Sequence, residues 1–206
     1  KLSETYPLAL EDNSSHNYFP GTPVSVEYRE GVYVGYKYYD TAEKEVAFPF
    51  GHGLSYTTFE YSDIKVSADS IKDTDTVTVS FKIKNTGDVN GAEVAQVYVN
   101  DVESTIYRPV KELRAFKKVF LKAQEEKEVE ITHDKRAFAY YNVILGDRHV
   151  ESGDFKILVG ASSRDIKLEA SVNGASTVEA ETPDYKTTAP SYYGANIMNV
   201  PADEFT

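Results

Sequence analysis

The chain has 206 residues, 41% of them apolar and 13% aromatic, with 16 Tyr, 10 Phe, one Met and neither Trp nor Cys. Lys and Arg number 22 against 33 Asp and Glu, a net charge of −11 that disfavours a phosphate-tracking surface and speaks against nucleic acid as a partner. Without Cys there are no disulfides, thiolate nucleophiles or Cys-based zinc sites, and no run of about 18 apolar residues offers a membrane span.

In chain order, residues 1–58 read as an irregular, Tyr-rich arm punctuated by Pro7, Pro20, Pro23 and Pro49, with no hydrophobic core of its own. Its opening, KLSETYPLALED, lacks the charged-then-apolar layout of a signal peptide. Within the arm, YPLAL and the alternating GVYVGYKYYD each fit a strand or covering loop added to something larger. From Phe59 the period changes to two. Val77, Val79, Phe81 and Ile83 alternate with Thr78, Ser80, Lys82 and Lys84, the mark of a half-buried strand. NTGDVNGAE supplies a turn, and AEVAQVYVND follows with Ala95, Val97 and Val99 on one side. A polar connection leads into KELRAF and KKVFLKA, then EKEVEITHD alternates Val129 and Ile131 with charge. DKRAFAYYN fits a helical turn or a strand corner. HVESGDFKILVGASS and DIKLEASVNG close the series with Phe155, Ile157 and Val159, then Ile166, Leu168, Ala170 and Val172.

About seven short strands and no convincing helix predict a mostly β fold: an antiparallel β-sandwich over 59–172. It resembles an immunoglobulin or fibronectin type III domain without the Cys, Trp, Cys signature of antibody domains. Residues 173–206, rich in Ala, Thr, Pro and Tyr, read as a linker or extended tail lying on another surface. At its end Pro201 precedes Asp203 and Glu204, as in helix starts.

Six stretches in this order and spacing carry a more specific resemblance. They are KLSETYPLALED (1–12), VEYREGVYVGYKYYD (26–40), FPFGHGLSYTTFEYS (48–62), VYVND (97–101), RPVKELRAFKKVFL (108–121) and HVESGDFKILVG (149–160). Together they resemble the C-terminal third of family 3 glycoside hydrolases, typified by bacterial β-glucosidases, over about residues 1–172. The resemblance implies a TIM-like barrel with an Asp nucleophile, an α/β sandwich domain with a Glu acid/base, and a fibronectin-like domain that buttresses both. This chain matches only the end of the α/β sandwich domain (1–58) and the fibronectin-like domain. Both catalytic carboxylates are then expected outside it, on a companion chain or missing portion that carries the barrel. The implied substrate is a β-glucoside or oligosaccharide, with no cofactor. In some relatives the barrel follows the fibronectin-like domain, an order that the closing PADEFT suits.

The residues themselves leave other readings to weigh. Retaining glycoside hydrolysis needs two carboxyls about 5–5.5 Å apart. Glu4, Glu11, Asp12, Glu27, Glu30 and Asp40 lie in the arm, in no catalytic motif, and read as solvated charges or salt-bridge partners. His16, His52, His133 and His149 have no metal-ligand spacing, so no metal site is expected. His52, between Gly51 and Gly53, lacks the orienting acid and nucleophile of a general base and reads as a packed turn residue. Arg108 beside Pro109 fits a clamp on a carboxylate across a domain boundary. The Tyr groups at 36–39, 140–141 and 192–193 admit sugar stacking or domain packing, with packing preferred. The expected interdomain packing set is Tyr36, Tyr38, Phe48, Phe50, Gly51, His52, Gly53, Tyr56, Arg108 and Pro109. A free β-sandwich module binding carbohydrate or protein is the alternative. The lack of Cys suits a reducing cytoplasm, the preferred compartment, or a secreted enzyme without disulfides.

Overall fold

Val77, Val79, Phe81 and Ile83 are sealed from solvent and the residues between them half-exposed, so alternation becomes a strand with one face in a core. A computed structural model describes residues 1–205. Its elements are β1 (Tyr6–Pro7), α1 (Tyr36–Thr41), β2 (Val46–Phe48), β3 (Phe59–Val66), β4 (Ser70–Lys72), β5 (Val77–Asn85) and β6 (Gly91–Asp101). There follow β7 (Glu112–Leu121), β8 (Glu126–His133), β9 (Tyr140–Asn142), β10 (Asp147–His149), β11 (Gly153–Gly160), β12 (Ile166–Ala175) and α2 (Pro190–Tyr193).

Two sheets face each other. One runs β3-β5-β8 and the other β4-β12-β11-β6-β7, antiparallel throughout except where β4 lies parallel to β12. Between them pack Val77, Val79, Phe81, Ile83, Ala95, Val97, Leu121, Val129, Phe155, Ile157, Val159 and Val172, a mostly β sandwich as the periodicity predicts. Each fully buried Val, Ile or Phe contributes about 1.5–3 kcal/mol relative to exposure.

The strand β6 departs from simple alternation. Ala95, Val97 and Val99 face the sandwich core, yet Gln96 and Tyr98 on the opposite face are also buried, at 3% and 0% exposure. What covers that outer face is the arm.

The arm folds differently from its expected strands and loops. YPLAL contributes only the two residues of β1, paired with β2, and leaves Leu8 and Leu10 exposed. GVYVGYKYYD does not become a strand. Gly35, at φ +58°, turns the chain into α1, which buries Tyr38 and Tyr39. Those two rings join Tyr33, Ala189, Tyr192, Ala195, Ile197 and Val200 in a second core, so the arm closes against residues 189–200. The tail has no regular structure over 176–184, then forms α2 and two 3-10 turns, the second following Pro201. Tyr33 Oη donates to the Tyr192 carbonyl at 2.6 Å, and Tyr192 Oη to the Arg29 carbonyl at 2.8 Å.

Candidate functional site

The outer face of β6 and the arm above it form a continuous polar and aromatic seam. Its centre is the Gln96 carboxamide, which donates to the carbonyls of Gly51 (3.4 Å) and Ala161 (2.9 Å) and accepts from Tyr98 Oη. One side chain thus ties the arm, β6 and the β11–β12 turn together. A buried amide with all its partners supplied is inexpensive, and one without them costs about 1–3 kcal/mol.

Gly51 is buried, at φ +80°, and a Cβ there would fall inside the Gln96 carboxamide. Glycine is therefore required twice, by backbone conformation and by space. Gly53 is different: it is exposed, its φ is ordinary, and a Cβ would meet only Lys1 at 3.1–3.4 Å. The two glycines on either side of His52 are therefore not equivalent. Around this bend the Phe50 carbonyl accepts from the Ser163 N–H at 2.9 Å, Leu2 N–H donates to the His52 carbonyl at 2.7 Å, and Gly51 N–H donates to the Leu2 carbonyl at 2.8 Å.

Tyr36, the first residue of α1, stacks at 4.8 Å on Phe50 and meets Tyr98 edge-on at 5.9 Å. Its Oη accepts the Leu113 N–H at 2.7 Å, and burial pushes the phenol up to about 12, with that hydrogen bond working in the opposite direction. Burial also raises Tyr98. Such phenols stay neutral hydrogen-bonding groups.

At the other end of α1, Asp40 is held by Arg164 Nε at 2.7 Å and Lys111 Nζ at 3.3 Å, its side chain 2% exposed. Arg164 also donates to the carbonyls of Tyr39 (3.1 Å), in the last turn of α1, and Lys44 (2.6 Å), in the loop that follows it. Thr41 Oγ1 accepts the Val110 N–H at 2.9 Å.

Arg108 is buried and bonds Asp101 at 2.9 Å and Glu112 at 3.1 Å, both within the sandwich rather than across a boundary. The cause is topological. Residues 102–111 connect two paired strands, β6 and β7, so a side chain in that connection overlies both strand ends. The boundary is crossed one step later, where Glu112, also bound by Arg114 at 2.6 Å, meets Lys37 of α1 at 3.4 Å. Burial alone would raise the Glu112 carboxyl, but Arg114 and Arg108 outweigh it and hold it below the usual range. At Asp101 burial outweighs Arg108 and the carboxyl is raised.

The expected packing set divides accordingly. Tyr36, Phe50, Gly51 and the buried Pro109 lie along the seam, and Tyr38 lies beneath it in the second core. Phe48 is 47% exposed, with only Tyr6 and His52 beside its ring. Tyr56 is fully exposed: Thr57 takes the inward position, its Oγ1 bonded to the buried Asn85, which turns Tyr56 outward. Gln96 and Arg164 are seam residues that sequence reasoning missed, while Asp40 takes the salt-bridge alternative of its expected reading. A Gln and a Tyr on the polar face of an otherwise apolar strand, AQVYV, are the one signal that pointed to Gln96.

Among the six candidate carboxylates of the arm, Asp12 accepts the Ala9 N–H, Glu27 pairs with Arg29 and Asp40 is locked as above. Glu4 and Glu11 are exposed, and Glu30 is buried, with one oxygen lacking a hydrogen-bond partner. Of the Tyr groups, Tyr36, Tyr38, Tyr39, Tyr140 and Tyr192 are packed and Tyr141 is exposed.

Residues 93–163 match the family described as Fn3-like, a fibronectin type III-like domain. The chain is 56% identical over 179 residues to thermostable β-glucosidase B of Acetivibrio thermocellus, covering 87% of this chain and 24% of that protein. It is 48% identical over 166 residues to an exo-α-(1→6)-L-arabinopyranosidase of Bifidobacterium breve, covering 81% of this chain and 22% of that one. The crystal structure of a Bifidobacterium adolescentis GH3 β-glucosidase superposes with a TM-score of 0.79 at 40% identity, over 95% of this chain and 29% of that one. The chain thus spans about a quarter of the length of the relatives it matches.

Proposed function

We infer function from one premise: this chain belongs to family 3 of the glycoside hydrolases and corresponds to the C-terminal part of its members. It serves as the non-catalytic structural portion of a β-glucosidase. In that enzyme terminal β-D-glucosyl residues are released by a retaining mechanism, and both the nucleophile Asp and the acid/base Glu stand on the portion carrying the barrel and the rest of the α/β sandwich domain. Its own part is to present the arm, braced on β6, as a rigid surface for that portion.

The observation that carries this reading is the distribution of exposed apolar side chains. Of the ten large apolar side chains that are 60% or more exposed, seven (Leu8, Leu10, Phe19, Val24, Tyr28, Leu54 and Tyr56) belong to the 58-residue arm, and three (Phe116, Tyr141 and Val143) to the longer sandwich. Apolar surface concentrated in so short a segment fits a contact face. A free carbohydrate- or protein-binding module has no use for it. The packing role of Phe48 and Tyr56 belongs to this contact, made with the missing portion and not within the chain. Relatives of similar identity are named for glucoside and for arabinopyranoside hydrolysis, which suits a part that does not select the sugar.

The test compares the 206-residue chain with a longer polypeptide that includes the barrel. An aryl β-glucoside is hydrolysed by the longer form only, and hydrogen exchange in residues 6–34 and 48–56 slows in it. Hydrolysis by the chain alone, or equal exchange in both forms, overturns the reading.

A further inference from the structure

Away from the arm's apolar face, a cleft of about 490 Å³ opens where the start of β7 and the end of β8 diverge at the open edge of the sandwich. Its walls bring together Arg114 from β7, His133 from β8, Arg136 from the following turn and Arg148 from β10, with Thr76 at the rim. On a chain of net charge −11 such a gathering of cations is not a sample of the average surface.

The cleft's cations outnumber its anions. Asp134 also lines it, accepting the Arg136 backbone N–H, and against that one carboxylate stand the three guanidinium groups; Glu112, outside the lining, is shared among Arg108, Arg114 and Lys37. Among the described residues the guanidinium groups of Arg136 and Arg148 have no hydrogen bond or ion pair. Two nitrogens are also buried without a hydrogen-bond partner: Arg114 Nε and His133 Nε2, the latter on a residue only 4% exposed. Burial, with Arg114 close by, lowers the His133 pKa against the opposing pull of Asp134, so the ring is neutral at pH 7 with one N–H to give. A buried Arg N–H without an acceptor is costly unless something supplies one.

We propose that this cleft binds a small soluble oxyanion of the phosphate or carboxylate class, with Arg114 and His133 as the buried donors and Arg136 and Arg148 closing over the charge. Planar guanidinium donors match the oxygen spacing of such groups, and the low exposure of the inner two strengthens each bond. The ligand enters between the sheets' edges, so binding leaves the sandwich core and the seam unchanged.

The probe is inorganic phosphate, titrated calorimetrically into the full chain and into the longer polypeptide at constant ionic strength, with chloride as the control. Phosphate is expected to saturate both forms and shift the Arg114 Nε–H resonance in a ¹⁵N-labelled sample, whereas chloride does neither. Arg148→Ala, which breaks no bond within the chain, is expected to weaken binding about tenfold with unchanged unfolding in chloride. Arg136→Ala/Arg148→Ala weakens it further. Unaltered affinity in the double variant, or a phosphate response no greater than that to chloride, overturns the proposal. Binding to the 206-residue chain but not to the longer polypeptide also overturns it, because a carboxylate of the polypeptide itself then fills the cleft.

Discussion

The sandwich and the arm–tail unit close their cores by opposite means. In the sandwich Val, Ile and Phe pack between ladders that already satisfy the backbone, so side chains need bring nothing but volume. In the arm and tail there is almost no ladder, and Tyr33, Tyr192 and Tyr18 each carry a hydroxyl across to a backbone group of the other segment. Tyrosine is suited to this because its ring fills space while its end remains polar. The two regions meet at β6, which is buried on both faces from Ala95 to Val99. The difference teaches where each region is vulnerable: the sandwich to lost volume, the arm to a lost bond or a misplaced atom.

The largest expected effect is on the sandwich. Phe81→Ala removes a fully buried ring and is expected to cost about 3–5 kcal/mol in urea unfolding of the whole chain. Gly51→Val attacks the seam through both φ and space, at about 2–4 kcal/mol, and limited proteolysis is expected to cut first in residues 33–52 while β5 and β11 stay protected. Gly53→Val changes stability by less than about 1 kcal/mol; equal losses in the two variants would erase the distinction between them. Arg164→Ala, which removes three bonds to α1 and the loop after it and leaves Asp40 to Lys111 alone, is expected to cost about 1–3 kcal/mol, seen as faster amide exchange in residues 38–44. The smallest effect depends on pH. Because burial lowers the folded pKa of His133, below pH about 6.5 the unfolded chain takes up a proton that the folded chain refuses, and stability falls as pH drops. Between pH 7 and 5.5 that loss is expected in the wild-type chain and absent in His133→Gln.

The sandwich was legible because a period of two survives in any context where one face is buried. Val77 to Ile83 and Phe155 to Val159 announce their burial without reference to other segments. The helix α1 was not legible. Apart from Lys37 its six residues, YKYYDT, are weak helix formers and too few to hold a helix alone, and it is held by distant groups, the second core around Tyr38 and Tyr39 and Arg164, more than 120 residues away. Gly51 was legible as a bend, but the reason valine cannot stand there is Gln96, which no local pattern connects to it. Arg108 was recognised as a clamp, and its partners were misassigned, because the return of β7 alongside β6 is a matter of pairing that a single residue does not reveal. The basic cleft shows the same limit: Arg114, Arg136 and Arg148 come from separate segments and become a group only when the sheets diverge.

The hydrogen bond between Tyr33 and Tyr192 spans 159 positions of the chain. At ribosomal speeds of roughly 5–20 residues per second, Tyr33, Tyr38 and Tyr39 leave the ribosome about 8–30 s before the residues that cover them have been made. During that interval the sandwich, whose strands all lie between the two segments, can form while the arm waits uncovered. In the living cell the arm is thus a matter of timing, exposed to proteases and chaperones for a period set by translation and not by its own folding rate.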